Sequence, residues 1–125
     1  GVADGTLIYD DGALTVSITS PSGGSFSDDI TVARLGGGGT HSDTKFVGHI
    51  YQFAIFDKVL SAAEISTIGG GSPISLEEDS GNYVSSGDLI HLWNFDEGTG
   101  TSCADSAGSL TGTLTDDATF SSDVP

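Results

Sequence analysis

Apolar positions along this chain come in short runs broken every few residues by Gly, Ser, Asp or Asn, a pattern that predicts strands joined by turns rather than helices. In "GTLIYDDGALTVSI", Leu7 to Tyr9 stands against Ala13 to Ile18 across Asp11-Gly12. Asp-Gly between apolar runs is a strong hairpin signal, because the turn needs positive φ and Gly12 adopts it without steric cost. "SPSGGSFSDD" then reads as a loop, "ITVARLG" from Ile30 to Gly36 as a strand, and "GGGGTHSDT" as a second loop. Phe46 to Phe56 is the best strand in the sequence. Tyr51, Phe53 and Ile55 share one of its faces while Ile50, Ala54 and Phe56 share the other, as expected of a central strand in a sandwich.

A single helix follows. Ser61 and Glu64 have the Ser-x-x-Glu spacing of a capping box, and Leu60 and Ile65 are placed for the hydrophobic staple across it. The helix is expected to stop at Gly69 to Gly71. From 72 to 87, "SPISLEEDSGNYVSSG" turns polar and acidic and reads as a connector. Leu89 to Phe95 forms a new strand with Trp93 as its largest apolar side chain, expected in the core, and "SLTGTL" and "ATF" suggest two short strands more. The expected class is all-β with one short capped helix.

Charge narrows the partners. The 125 residues hold 3 basic against 18 acidic side chains, a formal net charge of -15, which disfavours gripping nucleic acid phosphates or an anionic membrane. A chain of this length supports one core. No apolar run approaches the roughly 20 residues that cross a bilayer, and the first residues carry no leader pattern. With no initiator Met, the sequence reads as processed or as a piece of something longer. Cys103 has no second cysteine to bridge.

The segment "FVGHIYQFAIFDKVLSAAEI" resembles the closing segment of laminin-G-like domains of the concanavalin A-like lectin/glucanase superfamily. Phe46, Gly48, Ile50, Phe53, Ile55, Phe56, Leu60, Ser61, Glu64 and Ile65 carry the match. Upstream, "LIYDDGALTVSI" with Gly12 resembles a hairpin of the same family. The later stretch "LIHLWNFDEGTGTSCADSAGSLTGTLTDDATF" is similar to the family's opening through Trp93, Phe95, Asp96, Glu97, Gly98, Gly100, Asp105, Gly108, Gly112 and Leu114. The resemblance therefore implies a jelly-roll β-sandwich in permuted order. Residues 1–71 hold its closing part, 72–87 a polar linker and 88–125 its opening part, belonging to the same domain or to a following one. Three arrangements account for that order: a window across two tandem domains, a circular permutant, or sheets completed by neighbouring subunits in a fibre or shell.

Catalysis finds little support in these residues. Glycoside hydrolysis needs two carboxylates about 5 to 9.5 Å apart across the scissile bond, and Asp96-Glu97 and Glu77-Glu78-Asp79 are adjacent residues that a strand would point to opposite sides. His41, His49 and His91 show no metal spacing, and the glycines at 36 to 39 lack the Gly-Lys-Ser/Thr that would make a phosphate loop. Ca²⁺ is the one cofactor the resemblance suggests, and Asp28, Asp29 and Asp43, in loops flanking the Ile30 strand, are the candidate ligands. Turn chemistry and solubilising surface charge are the plainer reading of these and of Asp10 and Asp11, and Asp105 reads as a turn-former. Gly12, Gly48, Leu60, Ser61, Glu64, Ile65 and Trp93 are expected to be structural.

Two functions follow as expectations. The first is a non-catalytic structural or assembly module of an extracellular, cell-surface or virion protein, such as a phage decoration, tail or fibre component, in contact with copies of itself or other surface proteins and with polysaccharide as an accessory contact. The second is a calcium-assisted, lectin-like adhesion module. Neither involves nucleic acid or membrane insertion.

Overall fold

A computed structural model describes residues 5–10, 13–19, 35, 46–70 and 72–122. Among these residues it is mainly β, with three two-stranded antiparallel sheets, one short α-helix and a single 3-10 turn at Ser86–Asp88. Strands β1 (Gly5–Asp10) and β2 (Ala13–Thr19) form the hairpin expected at the start, with a bulge between Ile8 and Tyr9. The turn residues Asp11 and Gly12 lie outside the described residues, as do Asp28, Asp29 and Asp43. Of the strand expected at 30–36 only Leu35 is described, as an exposed bend.

The centre of the molecule is the pairing of β3 (Phe53–Phe56) with β4 (Leu89–Trp93), in the register Phe53↔Trp93, Ala54↔Leu92 and Ile55↔His91. The strand expected over 46–56 is thus laddered only at its end, because its partner is five residues long. That partner stops two residues short of Phe95, whose φ of 54° turns the chain out of the extended region. A bulge sets Phe56 opposite Leu89 and leaves Ile90 over, so Leu89 and Leu92 both face inward while Ile90 is exposed.

Between them lies helix α1 (Ala62–Ile68), which starts as its sequence dictates. Ser61 is the N-cap, its hydroxyl accepting from the Glu64 N–H while the Glu64 carboxylate accepts from the Ser61 N–H at 2.8 Å. Leu60 and Ile65 are half-buried and line one concavity, as the staple requires. The helix ends at Gly69, whose N–H reaches the Ile65 carbonyl. Farther upstream, Gly48 has φ +156°, and a Cβ there would lie 2.9 Å from the Phe46 ring.

Two expectations are corrected. The stretch 72–87, polar in composition, supplies the core: Leu76 and Tyr83 join Leu92 as its buried apolar side chains, with Ala54, Phe56, Ile68, Ile74 and Leu89 packed round them. Each such buried side chain contributes about 1.5–3 kcal/mol. Ser80 and Tyr83 exchange both backbone hydrogen bonds at 2.9 Å across Gly81-Asn82, and the Tyr83 hydroxyl donates to the Leu76 carbonyl at 2.7 Å. The ring of Phe56 meets Tyr83 edge-on at 6.2 Å. Trp93, expected in the core, is instead half-buried on the opposite face, because the alternation of β4 gives the inward position to Leu92. Beyond β4 the ladders are brief: β5 (Ser102–Cys103) pairs with β6 (Gly112–Thr113), and 118–120 is not a strand.

Candidate functional site

Strand alternation gives the β3–β4 pair two faces of different chemistry. On the outer face Phe53 stacks on Trp93 and Trp93 on His91, both at 5.6 Å between ring centroids. Phe53 and the neighbouring Ile55 remain 36% and 37% exposed. The rings stand in a row across two strands, and such cross-strand aromatic pairs stabilise a sheet as well as presenting apolar surface.

Asp105 anchors that row from beneath. Its Oδ1 accepts the N–H of Leu92 at 2.9 Å and of Gly108 at 2.8 Å. Its Oδ2 accepts the N–H of Leu110 at 3.0 Å and meets His91 Nδ1 at 2.6 Å. The carboxylate side chain is 1% exposed. Burial pushes its pKa up, but the donors from Leu92, Leu110, His91 and Gly108 outweigh burial and hold the carboxyl well below the usual carboxylate range. Gly108 leaves no room for anything larger, since a Cβ would fall 2.5 Å from His91 Nδ1 and 2.7 Å from the Ile90 carbonyl oxygen. Asp105, expected as a turn-former, is therefore a turn-former and the tie between that turn and β4.

The inner face is polar at one end. Gln52 and Asn94, one step beyond the Phe53↔Trp93 pair, are joined by a hydrogen bond from Gln52 Nε2 to Asn94 Oδ1 at 2.6 Å, and Asn94 Nδ2 continues to Ser106 at 3.4 Å. They line a cleft of about 270 Å³ with Tyr51, Ile74, Leu76 and Glu77. The cleft adjoins an apolar concavity of about 750 Å³ between this face and α1, lined by Ala54, Phe56, Leu60, Ile65, Ile68 and Ile74. Amides and a carboxylate beside apolar walls are the mixture that orients a small ligand. The sequence does not announce the cleft, because Gln52 and Asn94 meet only through the pairing of their strands, Glu77 is brought to them by the 72–87 stretch, and none of the three stands in a motif.

Glu64 is the second saturated carboxylate. It is 3% exposed and accepts from Ser85 Oγ, from the Ser61 N–H and from Ser61 Oγ, with Lys58 Nζ 3.9 Å away. The Ser85 hydroxyl, then the Ser61 donors, lower its pKa to about 2 against the upward push of burial. Ser61, Glu64, Leu60 and Ile65 thus serve the helix start. Lys58 also reaches Asp88 at 3.3 Å. Cys103 is buried, and burial followed by the nearby Glu97 pushes its thiol up, which suppresses thiolate chemistry.

Among the described residues no group of three or more His, Cys, Asp or Glu is placed to hold a metal ion, and no helix is long and apolar enough to cross a membrane. No protein-family model, no curated protein and no solved structure matches the chain.

Proposed function

We propose that this chain is a non-catalytic β-sandwich module of the concanavalin A-like jelly-roll type, whose work is assembly within an extracellular, cell-surface or virion structure. The observation that carries the reading is the β3–β4 pairing. It joins the segment resembling a laminin-G-like closing strand to the one resembling its opening strand, in a sheet of two strands with apolar side chains on both faces. Phe53, Ile55 and the Trp93 row are open on one side, and the concavity along Ala54 and Phe56 is open on the other. A sheet of this kind gains stability when further strands or a neighbouring subunit cover it. Each copy brings a formal charge of -15, so close packing calls for divalent cations, of which Ca²⁺ is the fitting one, or for a basic partner surface.

Sedimentation in calcium and then in chelator tests this. The expected result is a mass above that of one chain in calcium that falls when the cation is removed. A single-chain mass in both conditions across the accessible concentration range would overturn it.

The cleft supports a second reading, calcium-assisted carbohydrate binding. Neutral oligosaccharides suit Tyr51, Gln52, Asn94 and Glu77 better than anionic ones do, given the acidic surroundings. Titration with neutral and uronic oligosaccharides should then shift the amide signals of Gln52 and Asn94 with the neutral set only, and Gln52→Ala should abolish the shifts. Unperturbed signals with both sets would rule this reading out.

A further inference from the structure

Strand β4 has the composition of a segment prone to mispairing. Leu89-Ile90-His91-Leu92-Trp93 contains no Pro, no Gly, no carboxylate and no ammonium group, and such strands add to one another when an edge is bare. One edge of β4 is taken by β3. The other is taken by a loop rather than by a strand. Leu92 donates its N–H to Asp105 Oδ1, and the Leu92 carbonyl accepts the Ser106 N–H at 2.8 Å, with Trp93 and Asp105 in a single β-bridge. Trp93 Nε1 then donates to the Leu110 carbonyl at 3.0 Å, which ties the far end of the loop to the same strand.

We infer that the loop 105–110 is an edge guard, which takes the outward hydrogen bonds of Leu92, lies with Gly108 close against the Ile90 carbonyl, and keeps β4 from pairing with β4 of a second copy of the chain. A third strand in the same place would satisfy Leu92 equally well but would offer a fresh edge of its own. The carboxylate of Asp105 ends the ladder instead, because its remaining lone pairs are spent on Gly108, Leu110 and His91. Net charge does not substitute for this device, because none of it sits on the strand: β4 carries no carboxylate or ammonium group to meet a facing copy of itself. The guard concerns one edge alone, so it holds whether or not the chain assembles through its other surfaces.

The test compares the wild-type chain with Asp105→Ala and Trp93→Phe by sedimentation velocity over a concentration series, with far-ultraviolet circular dichroism to follow strand content. Asp105→Ala should associate at a concentration on the order of tenfold lower than the wild type. Trp93→Phe, which removes the N–H given to Leu110 while keeping an aromatic ring, if a smaller one, between Phe53 and His91, should move the same way by less. Adding Ile90→Lys to Asp105→Ala places a charge on the freed strand and should restore wild-type sedimentation. Asp105→Ala that keeps its strand signal and sediments as wild type would overturn the inference, as would association that Ile90→Lys leaves untouched. Should Asp105→Ala lose its strand signal, Trp93→Phe decides, and wild-type sedimentation of that variant overturns the guard.

Discussion

The helix start at Ser61 and the loop at Asp105 each bury a carboxylate and saturate it with donors, but they draw on different kinds of donor. Glu64 takes two of its three hydrogen bonds from hydroxyl groups, those of Ser61 and of Ser85, and the third from the Ser61 N–H. Asp105 takes two from Gly108 and Leu110 in its own loop and two from Leu92 and His91 on β4. Both carboxylates tie a local turn to a distant segment. All four Asp105 donors besides are backbone or ring groups fixed by the fold, whereas the Ser61 and Ser85 hydroxyls can rotate to another acceptor, so the loss of Asp105 should cost more.

The largest expected effect is therefore that of Asp105→Ala. It strands the Leu92 N–H at the strand edge and frees the His91 ring, and leaving buried donors unpaired costs on the order of 3 kcal/mol in all. Asp105→Asn should cost less but not nothing. One amide oxygen still accepts from Leu92 and Gly108, while the NH₂ group would face the Leu110 N–H, a donor against a donor. Urea unfolding at neutral pH measures both variants. Equal stability of Asp105→Ala and wild type would remove the basis for setting the two carboxylates apart.

Acid sharpens the same contrast. Both pKa values are depressed on folding, so each carboxylate contributes stability above its unfolded value and loses it as pH falls toward the folded value. For Glu64 the loss runs from 4.5 down to about 2, and for Asp105 it starts from 3.8 and extends below the Glu64 window. Ser85→Ala removes the largest single cause of the Glu64 shift, so that variant should be less stable at pH 7 and less sensitive between pH 4.5 and 2. Thermal melts across pH 2 to 7 read both effects. A variant with the wild-type slope would show that Ser85 does not govern Glu64.

The reach of each contact also explains what could be read in the sequence. The capping box, the staple, the first hairpin and the helix end lie within a few residues of chain, where hydrogen-bonding chemistry and spacing coincide. The role of Asp105 does not, since His91, Leu92, Gly108 and Leu110 converge only after β4 and its loop have folded together. A lone Trp between Leu92 and Phe95 reads as core, but β4 is apolar at every position except His91, and such a strand does not declare its inner face; the register with Ala54 decides for Leu92. The polar average of 72–87 hid Leu76 and Tyr83, two side chains that decide where the core lies. The end of β4 rests on the positive φ of Phe95, a conformation for which Phe carries no sequence preference.

The smallest expected effect belongs to Ser61→Ala. Ser61 is exposed, and its hydroxyl accepts the Glu64 N–H at 3.3 Å while donating to the Glu64 carboxylate at 2.7 Å. Replacing an N-cap serine by alanine costs about 1 kcal/mol. The loss should stay near that figure, because the Glu64 carboxylate keeps the Ser61 N–H and the Ser85 hydroxyl, neither of which depends on the removed group. Ser61→Gly should recover most of it, since glycine is a tolerable N-cap. Urea midpoints of the two variants test the ranking directly. If Ser61→Ala proved as damaging as Asp105→Ala, the helix start would be fastening the fold as firmly as the loop does, and the kind of donor would not be what separates the two carboxylates.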